Sequence, residues 1–189
     1  MATPAERRRR VWLALAIAEY VLERPVRDVL DVGCGEALWR APIRALHPRI
    51  RYTGVDPSSY VVRRFGASRT IRQGTLEHID ELKLRAAYDL IVCVDVLHFL
   101  SSAQLARGLA SIAARLQGVA YLPAFTALDD VEGDVRTMRR RAPAWYRAQF
   151  ARAGLAPVGL DCYVRRDTLR QLAALERPAV SRARPVQRR

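Results

Sequence analysis

Apolar positions along the chain follow two spacings in turn. Between residues 5 and 22 they recur as neighbouring pairs four residues apart, which predicts a helix with one apolar face. Further on, short β-branched runs alternate with longer stretches of helical spacing, a pattern typical of βα units on a largely parallel sheet. The predicted strands are 28–32, 52–55, 70–72, 89–94, 119–125 and 157–164, and the later helices are predicted at 37–46, 59–65, 102–116 and 144–153.

The segment 88–95 indicates where the centre of the sheet lies. It reads Tyr-Asp-Leu-Ile-Val-Cys-Val-Asp, so its middle is apolar on both sides. A strand that lies between two layers of helices is buried on both faces, which produces this pattern. We therefore predict a doubly wound α/β fold with this segment as a central strand.

Length and composition predict one globular domain. The chain has 189 residues, of which 50% are hydrophobic and 27% charged, and this excludes collagen-like, disordered and disulfide-scaffold proteins. With no repeat or Gly/Ser linker, we expect a single domain over 1–180 and a basic disordered tail over 181–189. The segment 128–141 places acids and then arginines after a predicted strand, which indicates a loop covering a ligand site. The segment 168–177 has helical propensity, but its position also suits an antiparallel hairpin.

Positive charge is concentrated at the two ends of the chain. The net charge is +13; residues 1–10 carry four arginines and one glutamate, and residues 182–189 carry four arginines. Basic ends can bind polyanions by releasing counterions, but solvated termini are the simpler interpretation. No aromatic residue stands among the tail arginines to stack on bases. Nucleic acid is therefore an alternative partner that the sequence does not favour.

The cysteines and the first residues bear on the cellular location of the protein. Cys34, Cys93 and Cys162 lie far apart without zinc-ligand spacing, which favours reduced thiols and a cytoplasmic protein. Residues 7–18 also resemble a secretory signal, with four arginines before a short apolar run. The helical stripe in that run favours an amphipathic first helix instead. No stretch of about 18 apolar residues exists, so no membrane span is predicted.

A glycine-rich turn follows the first predicted strand. In the spacing Asp31-x-Gly33-x-Gly35-x-Ala37, a strand enters a tight turn, and we expect its backbone amides and the next helix end to face a crevice. Asp56 ends the next strand, 21 residues beyond Gly35, where a carboxylate can accept hydrogen bonds from both hydroxyls of a ribose. Together these features predict a nucleoside ligand.

The residue at position 38 bears on which nucleoside-containing ligand the turn can bind. A dinucleotide-binding fingerprint needs Gly or Ala there, whereas this chain has Leu38, so NAD and FAD are disfavoured. The Gly-Lys-Ser/Thr sequence of a nucleotide-phosphate loop is absent as well.

With this turn, residues 29–164 resemble a class I S-adenosylmethionine-dependent methyltransferase. Three further segments match the pattern: 71–76, 88–98 and 145–155. The resemblance implies a Rossmann-like, three-layer fold of about seven mostly parallel strands, the last one antiparallel, with S-adenosylmethionine as cofactor. The residues that it assigns to cofactor binding are Asp31, Gly33, Cys34, Gly35, Asp56, Pro57, Gly74, Thr75, Leu76, Cys93 and Asp95.

Two positions depart from the family pattern. Ala37 stands where a third glycine is commonest, and Thr75 stands where an aspartate frequently approaches the adenine. The cofactor cradle is otherwise intact, which disfavours a non-catalytic module that merely retains the fold.

Methyl transfer from a sulfonium needs little more than two reactants held in line in a dry pocket. A hydroxyl or ammonium acceptor also needs a proton acceptor, for which His98 is the candidate; the alternative is a buried histidine bonded to backbone. Asp129, Asp130, Glu132 and Asp134 either recognise the acceptor or solvate the loop. No metal ligands are expected, because the segment after the fourth strand lacks the acidic cluster that a metal-dependent transferase would need.

The sequence favours a small-molecule O or N acceptor. Base-amine methylation commonly uses Pro-Pro-aromatic after an acidic residue or Asn, whereas this chain has Val96 and Leu97 after Asp95. Methylation of a cytosine carbon needs an attacking cysteine, usually after proline, and Cys93 follows Val92 inside a strand. RNA, DNA or protein therefore remains the alternative acceptor.

Overall fold

The computed structural model describes residues 2–130 and 137–169. Helices and strands alternate along most of this length, with two short 3₁₀ turns at Leu76–Glu81 and Leu97–Phe99. In chain order the elements are α1 (Pro4–Leu22), β1 (Asp28–Val32), α2 (Arg40–Leu46), β2 (Arg51–Asp56), α3 (Ser59–Arg69), β3 (Ile71–Gln73), β4 (Tyr88–Val92), α4 (Ser102–Arg115), β5 (Leu116–Tyr121), α5 (Pro143–Arg152), β6 (Leu155–Gly159), β7 (Cys162–Arg165) and α6 (Arg166–Leu169).

The strands form one sheet in the order β3-β2-β1-β4-β5-β7-β6. The first five strands pair in parallel, and β7 runs antiparallel to both of its neighbours. The predicted doubly wound fold, with a seven-stranded sheet whose last strand is antiparallel, is confirmed. Strand order reverses between β1 and β4, and it is at such a reversal that open α/β sheets bind their ligands.

The end of the sheet differs from the sequence prediction. The predicted strand 157–164 is wrong, because the chain reverses there and forms the hairpin of β6 and β7. Leu160 and Asp161 both have positive φ, at 53° and 61°, as the central residues of a tight hairpin turn do. Gly159 and Asp161 interrupt the apolar run at this turn, and the prediction carried one strand through both of them.

The helix after the glycine turn is shorter than predicted. A helix over 37–46 was expected, but α2 begins at Arg40. Ala37 has a φ of 56°, in the left-handed region, and a residue in that conformation cannot continue a right-handed helix. Residues 36–39, between the glycine turn and α2, therefore do not form a regular helix. The segment 168–177 is described only as far as Leu169, in α6, and residues 131–136 of the loop 128–141 also lie outside the described residues.

Apolar side chains cover both faces of the sheet. One cluster packs β1, β2, β4 and β5 against α1 and α2, and the other packs the opposite face against α4 and α5. Each fully buried Leu, Ile or Val contributes roughly 1.5–3 kcal/mol relative to exposure. The core thus holds the carboxyl ends of β1, β2 and β4 in fixed positions.

Helix α1 lies across β4 and β5. Its buried residues are Val11, Ala14, Leu15 and Ala18, which share one helical face. A capping box fixes its start: the Thr3 hydroxyl accepts from the Glu6 amide at 3.2 Å, and the Glu6 carboxylate accepts from the Thr3 amide at 2.8 Å. No helix of the described residues combines the length and apolarity needed to cross a bilayer.

Asp89 ties the end of α1 to the sheet. It is only 2% exposed at the start of β4 and accepts a bidentate pair from Arg24, with distances of 2.7 and 3.1 Å. The backbone amides of Arg27 and Asp28 also donate to this carboxylate, at 2.7 and 3.2 Å. These charge-assisted bonds hold the pKa of Asp89 below its ordinary value, although burial alone raises it.

Candidate functional site

A cleft of about 490 Å³ opens at the carboxyl ends of β1 and β4. Helix α1 forms one wall of the cleft, and the glycine turn after β1 forms another. The lining residues are Ala2, Arg7, Arg10, Asp31, Gly33, Cys34, Gly35, Glu36, Leu38, Trp39, Val61, Val94 and Asp95. Its position at the reversal of strand order and its volume suit one ligand of cofactor size.

The structure brings five of the predicted cofactor residues together in this cleft: Asp31, Gly33, Cys34, Gly35 and Asp95. Pro57, Gly74 and Thr75 line a separate groove of about 380 Å³ at the ends of β2 and β3. Asp56 lines neither space but contacts a lining residue of each: its backbone carbonyl accepts from the Gly74 amide at 3.1 Å, and its carboxylate accepts from the Gly35 amide at 2.8 Å.

Leu76 and Cys93 do not line either space. Leu76 is 2% exposed and packs against α4, where a Cβ on Gly108 would lie 2.3 Å from it. Cys93 is fully buried in the same cluster of side chains. Neither side chain is placed to touch a ligand in the cleft.

The glycines of the turn have two different structural roles. Gly33 has a φ of 72°, and a Cβ at this position would lie 2.2 Å from Val96. Gly35 also has positive φ, at 51°, but open space lies where its Cβ would be. Gly33 is therefore needed for packing, whereas Gly35 keeps part of the cleft empty for a ligand.

The turn does not present its amides to the cleft as the sequence suggested. The N–H groups of Gly33 and Cys34 both donate to the Val55 carbonyl, at 2.8 and 3.1 Å. The N–H of Gly35 donates to Asp56 Oδ2 at 2.8 Å. The expected array of free amides at a helix end is thus wrong, since the amides hold the turn against β2 and the helix begins five residues later.

Asp56 lies at the end of β2 and is 8% exposed. Besides the Gly35 contact, its Oδ1 accepts from the Ser58 amide at 2.9 Å. Each carboxylate oxygen has two lone pairs, so both oxygens can accept a further bond. The residue can still accept from a diol while it holds the turn.

Asp31 lies on the floor of the cleft and is 3% exposed. The buried Tyr52 hydroxyl donates to its Oδ2 at 2.5 Å. Burial raises the pKa of Asp31 to about 7, an effect that Asp56 strengthens and the Tyr52 hydrogen bond opposes. Near neutral pH this carboxyl is therefore shared between its protonated and ionised forms.

His98 lies in the 3₁₀ turn after β4 rather than in a longer helix, is 3% exposed and is not among the residues that line the cleft. Its ring centroid lies 4.2 Å from that of Phe99 and 5.0 Å from that of Phe125. Within the described part of the chain, Nδ1 has no hydrogen-bond partner. Burial lowers the pKa of His98, against the opposing effect of Asp95, so the imidazole is neutral at pH 7.

Several residues of the cleft were not identified from the sequence. Arg7 and Arg10 of α1 are among them and bring positive charge to the cleft. Trp39, whose edge was a candidate neighbour of the cofactor, forms an apolar wall and packs on Tyr121 with ring centroids 5.2 Å apart. The sequence predicted the first helix but gave no sign of where it packs. Of the acids in the loop 128–141, Asp129 accepts from Thr126, and Glu132 and Asp134 lie outside the described residues.

In residues 2–130 and 137–169, no three histidine, cysteine or acidic side chains are grouped as metal ligands would be.

Comparison with known proteins bears on the family of this segment. Residues 30–118 match the family model described as a methyltransferase domain. The resemblance to class I methyltransferases drawn from the sequence is thereby confirmed. The matched segment runs from β1 to the start of β5 and so contains the glycine turn, Asp56 and His98.

Solved structures share the fold at low sequence identity. The O-methyltransferase of neocarzinostatin biosynthesis, solved with S-adenosylhomocysteine and 1,4-dihydroxy-2-naphthoic acid, is 21% identical over 74% of this chain, with a TM-score of 0.57. An O-methyltransferase of a Brevibacillus brevis polyketide synthase, solved with S-adenosylhomocysteine, is 18% identical over 79%, with a TM-score of 0.60. A plantazolicin methyltransferase, solved with a triazolic analogue and S-adenosylhomocysteine, is 14% identical over 80%, with a TM-score of 0.65.

This chain spans 47%, 52% and 65% of the lengths of those three proteins, so the shared fold covers only part of each of them. No curated protein sequence matches the chain.

Proposed function

We propose that this chain binds S-adenosylmethionine in the cleft between β1 and β4 and transfers the methyl group to a hydroxyl or amine of a small molecule. The observation that carries the proposal is the open space over Gly35, next to Asp56 and at the reversal of strand order. The methyltransferase family match and the S-adenosylhomocysteine in all three neighbours support it.

Each polar group of the site has a proposed role. Asp31 faces the ammonium of the amino-acid part of the cofactor, with Gly33, Cys34, Gly35 and Asp95 forming the surrounding walls. Asp56 accepts from the ribose hydroxyls. The groove formed by Pro57, Gly74 and Thr75 lies beside Asp56 and takes the adenine. The geometry gives Leu76 and Cys93 a part in packing instead of contact.

The bound cofactor supplies an electrophilic methyl group on a sulfonium, which leaves as a neutral thioether. The apolar side chains of Trp39, Leu38 and Val94 exclude water from this end of the cleft. We propose His98 as the group that removes a proton from the acceptor, because a neutral imidazole with an unpartnered Nδ1 can accept one. General-base catalysis of this kind contributes roughly 10²–10⁴-fold to a rate.

The proposal is tested in two steps. Isothermal titration of the purified chain with S-adenosylhomocysteine is expected to show saturable binding below millimolar concentration. Incubation with S-adenosylmethionine and a panel of acceptors, including 1,4-dihydroxy-2-naphthoic acid and simple amines, is then expected to release S-adenosylhomocysteine with at least one of them. Absence of cofactor binding would contradict the whole proposal. Binding without turnover on any acceptor would favour the non-catalytic module.

A nucleic-acid acceptor is the second candidate, and an arginine-lined surface favours it. One groove is lined by Arg7, Arg8, Arg40 and Arg69, and a second groove is lined by Arg40, Arg44, Arg51 and Arg85. Within the described part of the chain no acidic side chain lines either groove, although Asp28 pairs with Arg51 and Arg85 at 2.6 and 3.0 Å. The first groove shares Arg7 and Leu38 with the cofactor cleft.

A salt series separates the two acceptor classes. If nucleic acid binds these grooves, replacing Arg40 and Arg44 with Gln is expected to weaken RNA or DNA binding and to lower the salt slope by about one for each arginine that pairs with a phosphate. The matched control replaces the exposed Arg107 and Arg152, which line neither groove. Equal effects of the two pairs would show only general charge attraction and leave the small-molecule acceptor favoured.

The organisation of the chain also stays a proposal. The described strands form one sheet, which supports a single domain over 1–180, with 128–141 as a loop over the site and 181–189 as a basic tail. The free thiols of the three cysteines are all buried, which supports a reducing, cytoplasmic environment.

A further inference from the structure

The pairing of Asp31 with Tyr52 is not explained by the fold alone. Asp31 lies opposite Gly54 in the β1–β2 register, and Tyr52 lies two residues earlier on β2, on the same face. The Tyr52 hydroxyl donates to Asp31 Oδ2 at 2.5 Å, whereas the space left by Gly54, which has no side chain, is taken by Cys34 and Ile71. The ring is 5% exposed and the carboxyl 3%, so water competes little for this bond.

In this hydrogen bond Tyr52 is always the donor and Asp31 the acceptor. Burial raises the pKa of Tyr52 well above its ordinary value, and the neighbouring Asp31 strengthens this effect, so the phenol stays protonated and can only donate. Donation to an ionised carboxylate is stronger than donation to a protonated one. The Tyr52 hydroxyl therefore favours the charged form of Asp31, against the burial that favours the neutral form.

Positive groups come from α1, where Arg7 and Arg10 line the cleft with Asp31, and from α2, where Arg40 acts on Tyr52 from outside the cleft. Charged and titratable groups stand on the elements around the pair. These groups are Asp56 on β2, Cys34 and Glu36 in the glycine turn, Cys93 and Asp95 after β4, Arg7 and Arg10 on α1, and Arg40 on α2. With the carboxyl balanced near neutrality, one added positive charge in the cleft is enough to shift its protonation.

We propose that Tyr52 is a positioning residue that keeps Asp31 ready to ionise, and that cofactor binding at Asp31 expels a proton from the site. The inference rests on the proposed function, because the ammonium of the cofactor's amino-acid part is the added charge. The proton passes from the Asp31 carboxyl to solvent buffer, and the ammonium pairs with the carboxylate that remains. Affinity then increases with pH until Asp31 is ionised in the free protein.

The Tyr52→Phe variant is expected to change how the Kd for S-adenosylhomocysteine depends on pH. Loss of the hydroxyl raises the pKa of Asp31 in the free protein, so more of the carboxyl must be deprotonated before binding. For a rise of one unit, the Kd for S-adenosylhomocysteine is expected to weaken about ninefold at pH 6 and less than about twofold at pH 8.5. The ratio of variant to wild-type Kd at each pH cancels the titration of the ligand itself.

Two ligands and one matched variant make the test specific. Methylthioadenosine has the same nucleoside but lacks the amino-acid part, so its Kd is expected to be the same for both proteins at every pH. Tyr20→Phe, at a tyrosine that is 74% exposed on α1, is the control substitution. Titrations of the wild-type protein in buffers of different ionisation enthalpy are expected to show release of about half a proton per S-adenosylhomocysteine at pH 7 and little at pH 8.5.

Different failures of the experiment have different meanings. If the wild-type protein binds neither adenosyl compound, the proposed function falls and this inference with it. If S-adenosylhomocysteine binds without proton release near pH 7, the cofactor assignment stands and the inference is overturned. An equal loss of affinity at all pH values in Tyr52→Phe, or an equal loss for methylthioadenosine, would show that Tyr52 serves only packing. The wild-type proton measurement decides the matter even if the variant does not fold.

Discussion

The carboxylate of Asp56 accepts a hydrogen bond from the backbone N–H of Gly35 at 2.8 Å, so the end of the second strand holds the turn that follows the first. The same carboxylate accepts from the Ser58 amide at 2.9 Å. Asp56 is thus part of the architecture of the cleft before any ligand arrives. Its proposed contact with ribose is added to this role and does not replace it.

Substitutions at Asp56 are expected to separate these two roles. Asp56→Asn loses the negative charge and keeps one oxygen, so one of the Gly35 and Ser58 amides loses its acceptor; we expect S-adenosylhomocysteine binding to weaken by roughly 1.5–3 kcal/mol and the melting temperature to fall by less than in Asp56→Ala. Asp56→Ala leaves the Gly35 and Ser58 amides without their acceptor and is expected to lower the melting temperature as well. Titration calorimetry and thermal unfolding of both variants check this. Unchanged affinity in Asp56→Asn would contradict the ribose assignment.

The two turn glycines are expected to fail in different ways when each is replaced by alanine. At Gly33 a new Cβ would meet Val96 at 2.2 Å, so Gly33→Ala is expected to reduce the free energy of unfolding by about 1–3 kcal/mol. At Gly35 the Cβ has open space, so only the left-handed backbone adds strain, about 1–2 kcal/mol, while the methyl group occupies the cleft. Denaturant unfolding measures the free energy of unfolding, and calorimetry measures the cofactor Kd. For a given loss of unfolding free energy, we expect Gly35→Ala to lose more cofactor affinity than Gly33→Ala. The opposite order would indicate that the cleft is not the binding site.

His98 is expected to titrate below its ordinary pKa. Burial between two aromatic rings disfavours the imidazolium, and Asp95 offsets this only in part. The chain has three histidines, so imidazole resonances can be followed individually by NMR, with His98→Gln identifying the one of interest. We expect that resonance to show a midpoint below 6.5, and the acid limb of any methyl-transfer rate to lie below the same pH. A midpoint above 6.5 would contradict the buried, neutral base.

Asp89 is expected to account for part of the loss of unfolding free energy at low pH. Its pKa is lowered in the folded state, so its contribution is fully present above the unfolded value of about 3.9 and is lost as pH falls through the folded value below it. Asp89→Asn breaks the pair with Arg24 and is expected to reduce the free energy of unfolding at pH 7 by about 3 kcal/mol. The variant should also lose part of the decline that wild type shows below about pH 4.

The control for Asp89 is Asp80→Asn. The Asp80 side chain is 60% exposed and pairs with Arg115 at 2.8 Å, so its removal is expected to change stability by less than about 1 kcal/mol. Urea unfolding of both variants from pH 7 to pH 3 provides the comparison. Equal effects of the two substitutions would mean that the buried Asp89 network does not anchor α1.

The fold could be predicted from sequence wherever the apolar spacing changed with the backbone. The segment 88–95 indicated β4 because its apolar middle fits only a strand covered on both faces. The hairpin of β6 and β7 was missed because its turn at Leu160 and Asp161 carries no Asn-Gly or Asp-Gly signal. The start of α2 was missed because nothing in the identity of Ala37 announces its left-handed backbone.

The candidate site was predictable only where its parts are close in sequence. The glycine turn is contiguous, and Asp56 follows it by one βα unit, so Asp31, Gly35 and Asp56 could be named together. Arg10 reaches the cleft through the packing of α1 on the sheet, and Tyr52 reaches Asp31 through the pairing of β1 with β2; both are long-range contacts. The direction in which the turn amides point also depends on such a contact, with the Val55 carbonyl.

The three cysteine thiols can report both ligand binding and unfolding through their rates of alkylation. Cys34 borders the cleft, whereas Cys93 and Cys162 are fully buried in the sheet. Burial raises the pKa of all three thiols and slows their alkylation; Cys34 can still react from the cleft, whereas Cys93 and Cys162 can react only when the protein opens transiently. Mass spectrometry of partly alkylated protein would therefore distinguish shielding of Cys34 by an occupant from unfolding that exposes all three sulfur atoms together.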